Sequence, residues 1–201
     1  MTKLELVTRT IRNSGGIAKT SDLVAAGVSA NKLKEFADNG TLLRVRHGYY
    51  QLAEDLDILE AQYIASLLPE GIVCVESALF FYGYSDFAPR AWTIAVPRSI
   101  PLTKLRLEAV PIKAYFIQKD FLDIGKTTEP FDGVTLSIYD RERTICDCFK
   151  YRARLDSETF SKAINGYVAD DRKDLSKLSK YAKSLGLYKR VTELMEVMLG
   201  G

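Results

Sequence analysis

Residues 20–40 read TSDLVAAGVSANKLKEFADNG, a segment in which apolar positions at helical spacing are framed by helix-capping and helix-ending residues. Thr20 or Ser21 is a suitable N-cap for a short helix, and Gly27 ends it. Ser29 is a suitable N-cap for the next helix, which the closing asparagine-glycine pair ends. The segment therefore predicts two helices separated by a tight turn.

Residues 41–52 continue as TLLRVRHGYYQL, which predicts two short strands. The strands cover 41–46 and 49–52, and they join as a hairpin at His47-Gly48. Before the two helices, three apolar residues at helical spacing predict an amphipathic first helix: Leu4, Val7 and Ile11. Three helices followed by a hairpin are the element order of a winged helix-turn-helix.

The rest of the chain has a different pattern. The acidic run Glu54-Asp55-Leu56-Asp57 marks a domain boundary, so we expect a DNA-binding domain over 1–52 and a second domain over 53–201. Short apolar runs predict strands in the first part of the second domain, and the pattern is helical from about residue 141. Strands followed by helices predict an α+β fold that ends in a helical bundle.

Composition narrows the classes of protein. The chain has 201 residues and a net charge of +2, and no apolar run approaches the ~20 residues of a membrane helix. The first residues lack the pattern of a signal peptide, and the three cysteines are too few and odd in number for a disulfide framework. We therefore expect a cytoplasmic protein with reduced thiols and no membrane partner.

Positive charge is concentrated in the predicted winged helix-turn-helix. Residues 1–52 hold eight Lys/Arg and four Asp/Glu, a balance of +4, which leaves −2 for the remainder of a chain of +2. In a helix-turn-helix, the start of the second motif helix enters the major groove of duplex DNA. Amide and ammonium groups there can read base edges, which nominates Asn31, Lys32 and Lys34, and Ser29 is a natural donor to phosphate.

Further cations and donors surround this helix in the sequence. Arg44, Arg46 and His47 lie on or beside the hairpin tip, where a wing can reach the backbone or the minor groove. Phosphate contacts are also expected from the other helices: Ser21, Lys3, Arg9 and Arg12. The alternative is a small helical domain whose charges are solvated and which binds proteins. For His47 alone, a turn residue without function is an equal alternative.

The sequence motifs of known catalytic and metal sites are incomplete or absent in this chain. His47 is the only histidine, and phosphate-binding glycine loops are absent, so we expect no metal, no cofactor and no enzyme activity. Cys146 and Cys148 lie two positions apart in a predicted helix and point to different faces, so one is expected in the core and a shared metal is not. Asp140, Glu142 and Asp147 could form a carboxylate cluster, but Asp140 is more simply the N-cap of the helix that begins at Arg141, with Glu142 in its first turn. A nucleic-acid-processing enzyme positioned by the winged helix remains an alternative.

A second basic segment lies near the end of the chain. Residues 172–190 hold seven Lys/Arg and one acid, with Lys173, Lys177 and Lys180 spaced i, i+4, i+7. A solvated helical surface accounts for this pattern, and the alternative is a second surface for nucleic acid or an acidic partner.

Two sets of motifs resemble a known family. In the first 52 residues these are IAKTSDL at 17–23 and LLRVRHGYY at 42–50, and downstream they are TIAVP at 93–97 and YDRERTICD at 139–147. Together with Ser77-Ala78-Leu79 and Gly83, these motifs resemble the AbiEi-type antitoxins over nearly the whole chain.

The resemblance implies a type IV toxin–antitoxin system of abortive phage infection. In that family the N-terminal domain represses its own operon at promoter repeats, so duplex DNA with inverted repeats is the implied partner. The C-terminal domain counteracts a nucleotidyltransferase-like toxin without a stable complex. A plain transcriptional regulator stays open as an alternative, and the resemblance transfers no catalytic residue.

Overall fold

The computed structural model describes residues 1–200, which form two compact units. The first unit comprises Met1–Pro69 with residues 106–110 and 130–135, and the second comprises the other described residues. The first unit thus includes a helix beyond the predicted boundary at 52/53, and the assignment of separate functions to 1–52 and 53–201 stays a prediction. No helix in residues 1–200 is long and apolar enough to cross a membrane.

The first unit follows the predicted element order with one addition, the short strand β1. Its elements are α1 (Lys3–Asn13), β1 (Ala18–Lys19), α2 (Thr20–Ala25), α3 (Ala30–Asp38), β2 (Leu42–Arg46), β3 (Tyr49–Leu52) and α4 (Glu60–Leu67). Strand β3 lies between β1 and β2 and pairs antiparallel with both. The two-residue β1 escapes sequence analysis because its only signal is this pairing with a strand about thirty residues away.

Helix α1 begins with a capping box, in which Thr2 and Glu5 each accept the backbone N–H of the other. Its buried residues Val7 and Ile11 join one core with residues of the other helices and of the hairpin: Ala18, Leu23, Val28, Leu33, Phe36, Leu42 and Leu52. Each large apolar side chain buried in this way contributes about 1.5–3 kcal/mol. The predicted Leu4 does not join the core, because it is 41% exposed.

The N-caps of both α2 and α3 were predicted from the sequence, and the prediction is correct for α3 and wrong for α2. Ser29 is the N-cap of α3 as predicted, and its hydroxyl accepts the Lys32 backbone N–H. Thr20 and Ser21 are not the N-cap of α2, which is Lys19. The helix begins one residue earlier than expected, and the Thr20 N–H, which has no partner inside the helix, donates to the Gly48 carbonyl oxygen at 2.8 Å.

The remaining elements build the second sheet and the C-terminal helices. They are β4 (Ile72–Val73), α5 (Val75–Phe81), β5 (Trp92–Pro97), β6 (Ile112–Ile117), α6 (Lys119–Leu122), β7 (Lys126–Phe131), β8 (Val134–Tyr139), α7 (Arg141–Lys150), α8 (Ser157–Ala169), α9 (Leu175–Ser184) and α10 (Tyr188–Leu199). The sheet order is β6-β5-β4-β8-β7, with β6 parallel to β5 and β8 parallel to β4. Strands followed by helices confirm the predicted α+β class.

Helix α7 is the centre of the helical part, since it packs against α5, α8, α9 and α10. Residues 142–149 are all buried, so Cys146 and Cys148 both lie in the core, although their spacing predicted only one there. Asp140 caps α7 as expected, and its Oδ1 accepts the Arg143 N–H at 2.9 Å. Gly125 approaches the same helix with φ +74, and an added Cβ would lie 2.4 Å from the Arg143 Cβ.

Candidate nucleic-acid interface

Helix α3 presents a narrow polar face to solvent. Leu33 and Phe36 are buried in the core. The exposed positions on the opposite side are spaced i, i+3, i+4 and i+7, which places them on one helical face: Asn31, Lys34, Glu35 and Asp38. Together with Asn39, these side chains line a shallow surface groove of about 480 Å³.

Charge changes sign along this face. Asn31 lies in the first turn of the helix and Lys34 at its middle, whereas Glu35 and Asp38 lie in its second half. The acidic end repels phosphate, so only the first half of α3 suits a close approach to DNA. This half is also the part that a helix-turn-helix turns toward base edges.

Lys32 is less available than its position in the sequence implies. Its ammonium pairs with Glu35 at 2.5 Å and lies 5.0 Å from the centre of the Phe36 ring. The pair is solvent-exposed, and such pairs contribute about 0–1 kcal/mol, so a phosphate can displace Glu35 at small cost.

The hairpin tip groups Arg44 with His47. Both residues are exposed, and an Arg44 Nη2 donates to the His47 Nδ1. Arginine has no acceptor, so the guanidinium is the donor in this contact. A guanidinium and an imidazole ring thus lie side by side at the tip.

Arg46 points away from this pair. Its Nη1 donates to the carbonyl oxygen of Leu67 at 3.0 Å, and its guanidinium lies 4.6 Å from the centre of the Tyr49 ring. Residues two apart in a regular strand share a face, but the register shifts between Arg44 and Arg46, so that Val45 is an extra residue. The bulge separates two arginines that the sequence predicted at one site.

Lys19 is a candidate that sequence analysis missed. It is exposed, it pairs in register with Tyr49, and the next residue bonds to Gly48 at the hairpin tip. Among residues 1–200 it forms no ion pair. A lysine directly before a motif helix was the available signal, but the expected N-caps Thr20 and Ser21 placed Lys19 outside the helix.

The expected phosphate contacts on α1 and α2 have mixed surroundings. Lys3 Nζ donates to the Gly27 carbonyl oxygen at 2.8 Å, and Arg12 pairs with Glu54 at 3.3 Å. The Ser21 hydroxyl donates to the Asp22 carboxylate at 3.0 Å. Arg9 is exposed and forms no ion pair within the described part of the chain.

The carboxylates that could serve catalysis in the second unit are held by structural contacts. Glu142 accepts the Asp174 N–H at 3.0 Å and the Tyr167 hydroxyl at 3.2 Å. Asp147 pairs with the buried Arg143 at 3.1 Å. Burial raises the pKa of Cys146 to about 12, so this thiol is protonated and unreactive at neutral pH.

Many of the C-terminal cations also have internal partners. Lys177 pairs with Asp140 at 2.9 Å, Arg172 pairs with Asp170 at 3.0 Å, and Lys189 lies 3.8 Å from Glu193. These pairs neutralise much of the local charge. They favour a solvated helical surface over a second nucleic-acid surface.

Comparison with known protein families gives a match for the first part of the chain. Residues 5–53 match the family described as transcriptional regulator, AbiEi antitoxin. The resemblance drawn from the sequence is thereby confirmed over this segment, which runs from within α1 to just past β3 and is about a quarter of the chain. The matched family is one of transcriptional regulators and antitoxins.

A solved structure shares the fold over most of the chain. The crystal structure of the RV2827C protein from Mycobacterium tuberculosis superposes with a TM-score of 0.60 and 15% sequence identity. The match covers 91% of this chain and 72% of that one. At this identity the likeness establishes the fold alone. No curated protein sequence matches the chain significantly.

Proposed function

We propose that the chain is a transcriptional repressor that binds duplex DNA through its winged helix-turn-helix. The start of α3 enters the major groove, where Asn31 pairs with an adenine and Lys34 donates to a guanine or a phosphate. Arg44 and His47 at the hairpin tip contact the backbone or the minor groove. The observation that carries the proposal is the charge division along α3, which leaves only its basic half suited to DNA.

The operator and the antitoxin activity form a further part of the proposal. The family match over residues 5–53 and the downstream motifs support repression of the chain's own operon at promoter repeats. We infer that residues 53–201 counteract a nucleotidyltransferase-like toxin without a stable complex, in the cytoplasm. We further infer that this antagonism is not catalytic, because the second unit's candidate carboxylates and thiols are buried or occupied.

A variant that is defective in DNA binding alone tests the proposal, because it separates repression from the antitoxin activity. Full-length protein with Lys34→Gln and Arg44→Gln is compared with wild type in cells that carry a promoter fusion and the neighbouring toxin gene. We expect the double variant to lose repression and to rescue growth as wild type does. Lys180→Gln, an exposed cation on α9, is the matched control and should preserve both activities. Unchanged repression in the double variant would overturn the DNA-binding assignment.

A further inference from the structure

A cavity of about 520 Å³ opens in the second unit where two parallel strands end. Strands β5 and β6 run parallel and end in register at Pro97 and Ile117. The wall is completed by α6, by the last turn of α7 and by the segment that follows it. In open α/β sheets, ligand sites form outside the carboxyl ends of parallel strands, and the β5–β6 pair offers the same arrangement within this mixed sheet. The volume is in the range of small-molecule sites.

Three cations from three segments converge on the cavity. Arg98 follows β5, and its N–H donates to the Ile117 carbonyl oxygen at 3.1 Å, which fixes the backbone there. Lys150 is the last residue of α7, and Arg154 ends the next short helical turn. None of the three forms an ion pair within the described residues, and no acidic side chain lines the cavity.

Arg98 lies close enough to Lys150 to oppose its charge. The pKa of Lys150 is lowered, mainly by burial, and the charges of Arg143 and Arg98 add to the effect. The carboxylate whose charge favours the Lys150 ammonium is Asp147, and that group is already paired with Arg143. The end of a helix favours one cation such as Lys150, but it does not account for Arg98 and Arg154. Unbalanced like charges of this kind suit an anionic ligand.

Aromatic rings form the other part of the wall. Tyr115 and Tyr151 pack edge to face at 4.6 Å, and the Tyr115 hydroxyl donates to Glu76, which fixes this pair. Phe121 lies 5.9 Å from the Lys150 ammonium, and Phe116 on β6 is 43% exposed. Rings beside cations bind the flat base and the phosphate of a nucleotide together.

We propose that this cavity is a nucleotide-binding site, in which Arg98, Lys150 and Arg154 hold the phosphates and Phe116 stacks on the base. The site lies in the second unit, so it is separate from the winged helix-turn-helix. It gives the C-terminal region a small-molecule ligand in addition to its proposed role in counteracting a toxin. No bond is made or broken in this binding step.

Calorimetric titration of the full-length protein tests the proposal. The probes are ATP, GTP, CTP and UTP, with inorganic triphosphate and a single-stranded hexanucleotide as separate arms. We expect at least one nucleoside triphosphate to bind at a single site. Arg98→Gln and Arg154→Gln should each weaken it about tenfold, since each removes a charge-assisted contact. Phe116→Ala should weaken it about 5- to 100-fold, because base stacking is lost.

A control variant and a check of folding show whether a loss of nucleotide binding is specific to the cavity. Lys180→Gln removes an exposed cation outside the cavity and should bind as wild type does, and thermal melting checks that every variant is folded. The proposal is overturned if no nucleotide binds at millimolar concentration or if the Arg98 and Arg154 variants bind normally. It is also overturned if inorganic triphosphate binds as tightly as the nucleotide, or if only the hexanucleotide binds.

Discussion

The guanidinium of Arg46 donates to the carbonyl oxygen of Leu67 at 3.0 Å, which ties the strand β2 to the last residue of α4. A cation at this position also compensates the negative end of the helix dipole. Arg44, two residues earlier, is exposed at the hairpin tip beside His47. The two arginines of one strand therefore have different tasks, one in stability and one in the proposed DNA contact.

Exchanging each arginine for glutamine separates these tasks. Arg46→Gln should lower the free energy of unfolding by about 1–2 kcal/mol, because it removes a charged hydrogen bond and the contact with the Tyr49 ring. Arg44→Gln should leave stability unchanged and weaken DNA binding. Urea denaturation and fluorescence anisotropy with promoter DNA provide the two measurements. If Arg44→Gln lowered the free energy of unfolding as much as Arg46→Gln does, the two arginines would not have separate tasks.

Asn31 is expected to set preference at one base pair. Asn31→Ala should lose about 1–3 kcal/mol of discrimination at that position and little affinity for random DNA, because the bidentate contact to adenine is removed. Competition binding with operators substituted at each position measures this. Equal losses on specific and random duplexes would show instead that Asn31 contacts the backbone.

Asp170 links stability to pH. Its carboxylate accepts from the Tyr84 hydroxyl at 2.7 Å and from Arg141 and Arg172. These bonds, chiefly those from Arg172, hold the pKa of Asp170 well below its usual value. A lowered folded-state pKa stabilises the protein above the unfolded-state pKa of about 3.9, and this stabilisation is lost as pH falls toward the folded-state pKa.

The variant Asp170→Asn tests this pH dependence, because an asparagine side chain cannot titrate. At pH 7 it should be less stable than wild type by about 2 kcal/mol. The difference should narrow by about 1 kcal/mol between pH 5 and pH 3, as protonation of the unfolded wild type removes its advantage. Urea denaturation at several pH values measures both quantities. A difference that stays constant over this range would contradict the pKa assignment.

Gly125 is expected to tolerate no side chain. In Gly125→Ala the new Cβ would lie 2.4 Å from the Arg143 Cβ and the residue would keep φ +74. Gly133→Ala is the matched control, since Gly133 has φ +84 and nothing within 4 Å of the added Cβ. Both variants should lose about 1 kcal/mol to backbone strain, and Gly125→Ala should lose at least 1–3 kcal/mol more through overpacking. Equal unfolding free energies would show that α7 moves aside freely.

Local signals predicted the elements that form by local interactions. Ser29 caps α3 through a bond to a backbone three residues away, and the His47-Gly48 turn lies between strands that are adjacent in sequence. The strand β7 was missed because its sequence, KTTEPF, is polar at its first four positions, contains a proline and has no buried residue. The four residues of α6 are too few to show a helical period.

The candidate interface was only partly predictable, because some of its residues are placed by contacts between distant parts of the sequence. The exposed positions of Asn31 and Lys34 follow from the apolar stripe of α3, which the sequence contains. The inward direction of Arg46 depends on the bulge at Val45 and on a carbonyl group twenty-one residues away. Lys19 reaches the hairpin tip only because β1 pairs with β3. Such long-range contacts leave no periodic signal in the chain.

The salt dependence of DNA binding tests whether the basic residues of the first unit contact the DNA backbone. Full-length wild type, Lys19→Gln/Lys34→Gln and the control Lys180→Gln are titrated onto duplex DNA from the chain's own promoter at several salt concentrations. We expect wild-type affinity to fall steeply with salt, and the double variant to bind more weakly with a slope smaller by about 1–2, since each lost phosphate contact removes about 0.9. The control should match wild type. A double variant with the affinity and slope of wild type would show that these lysines do not contact DNA.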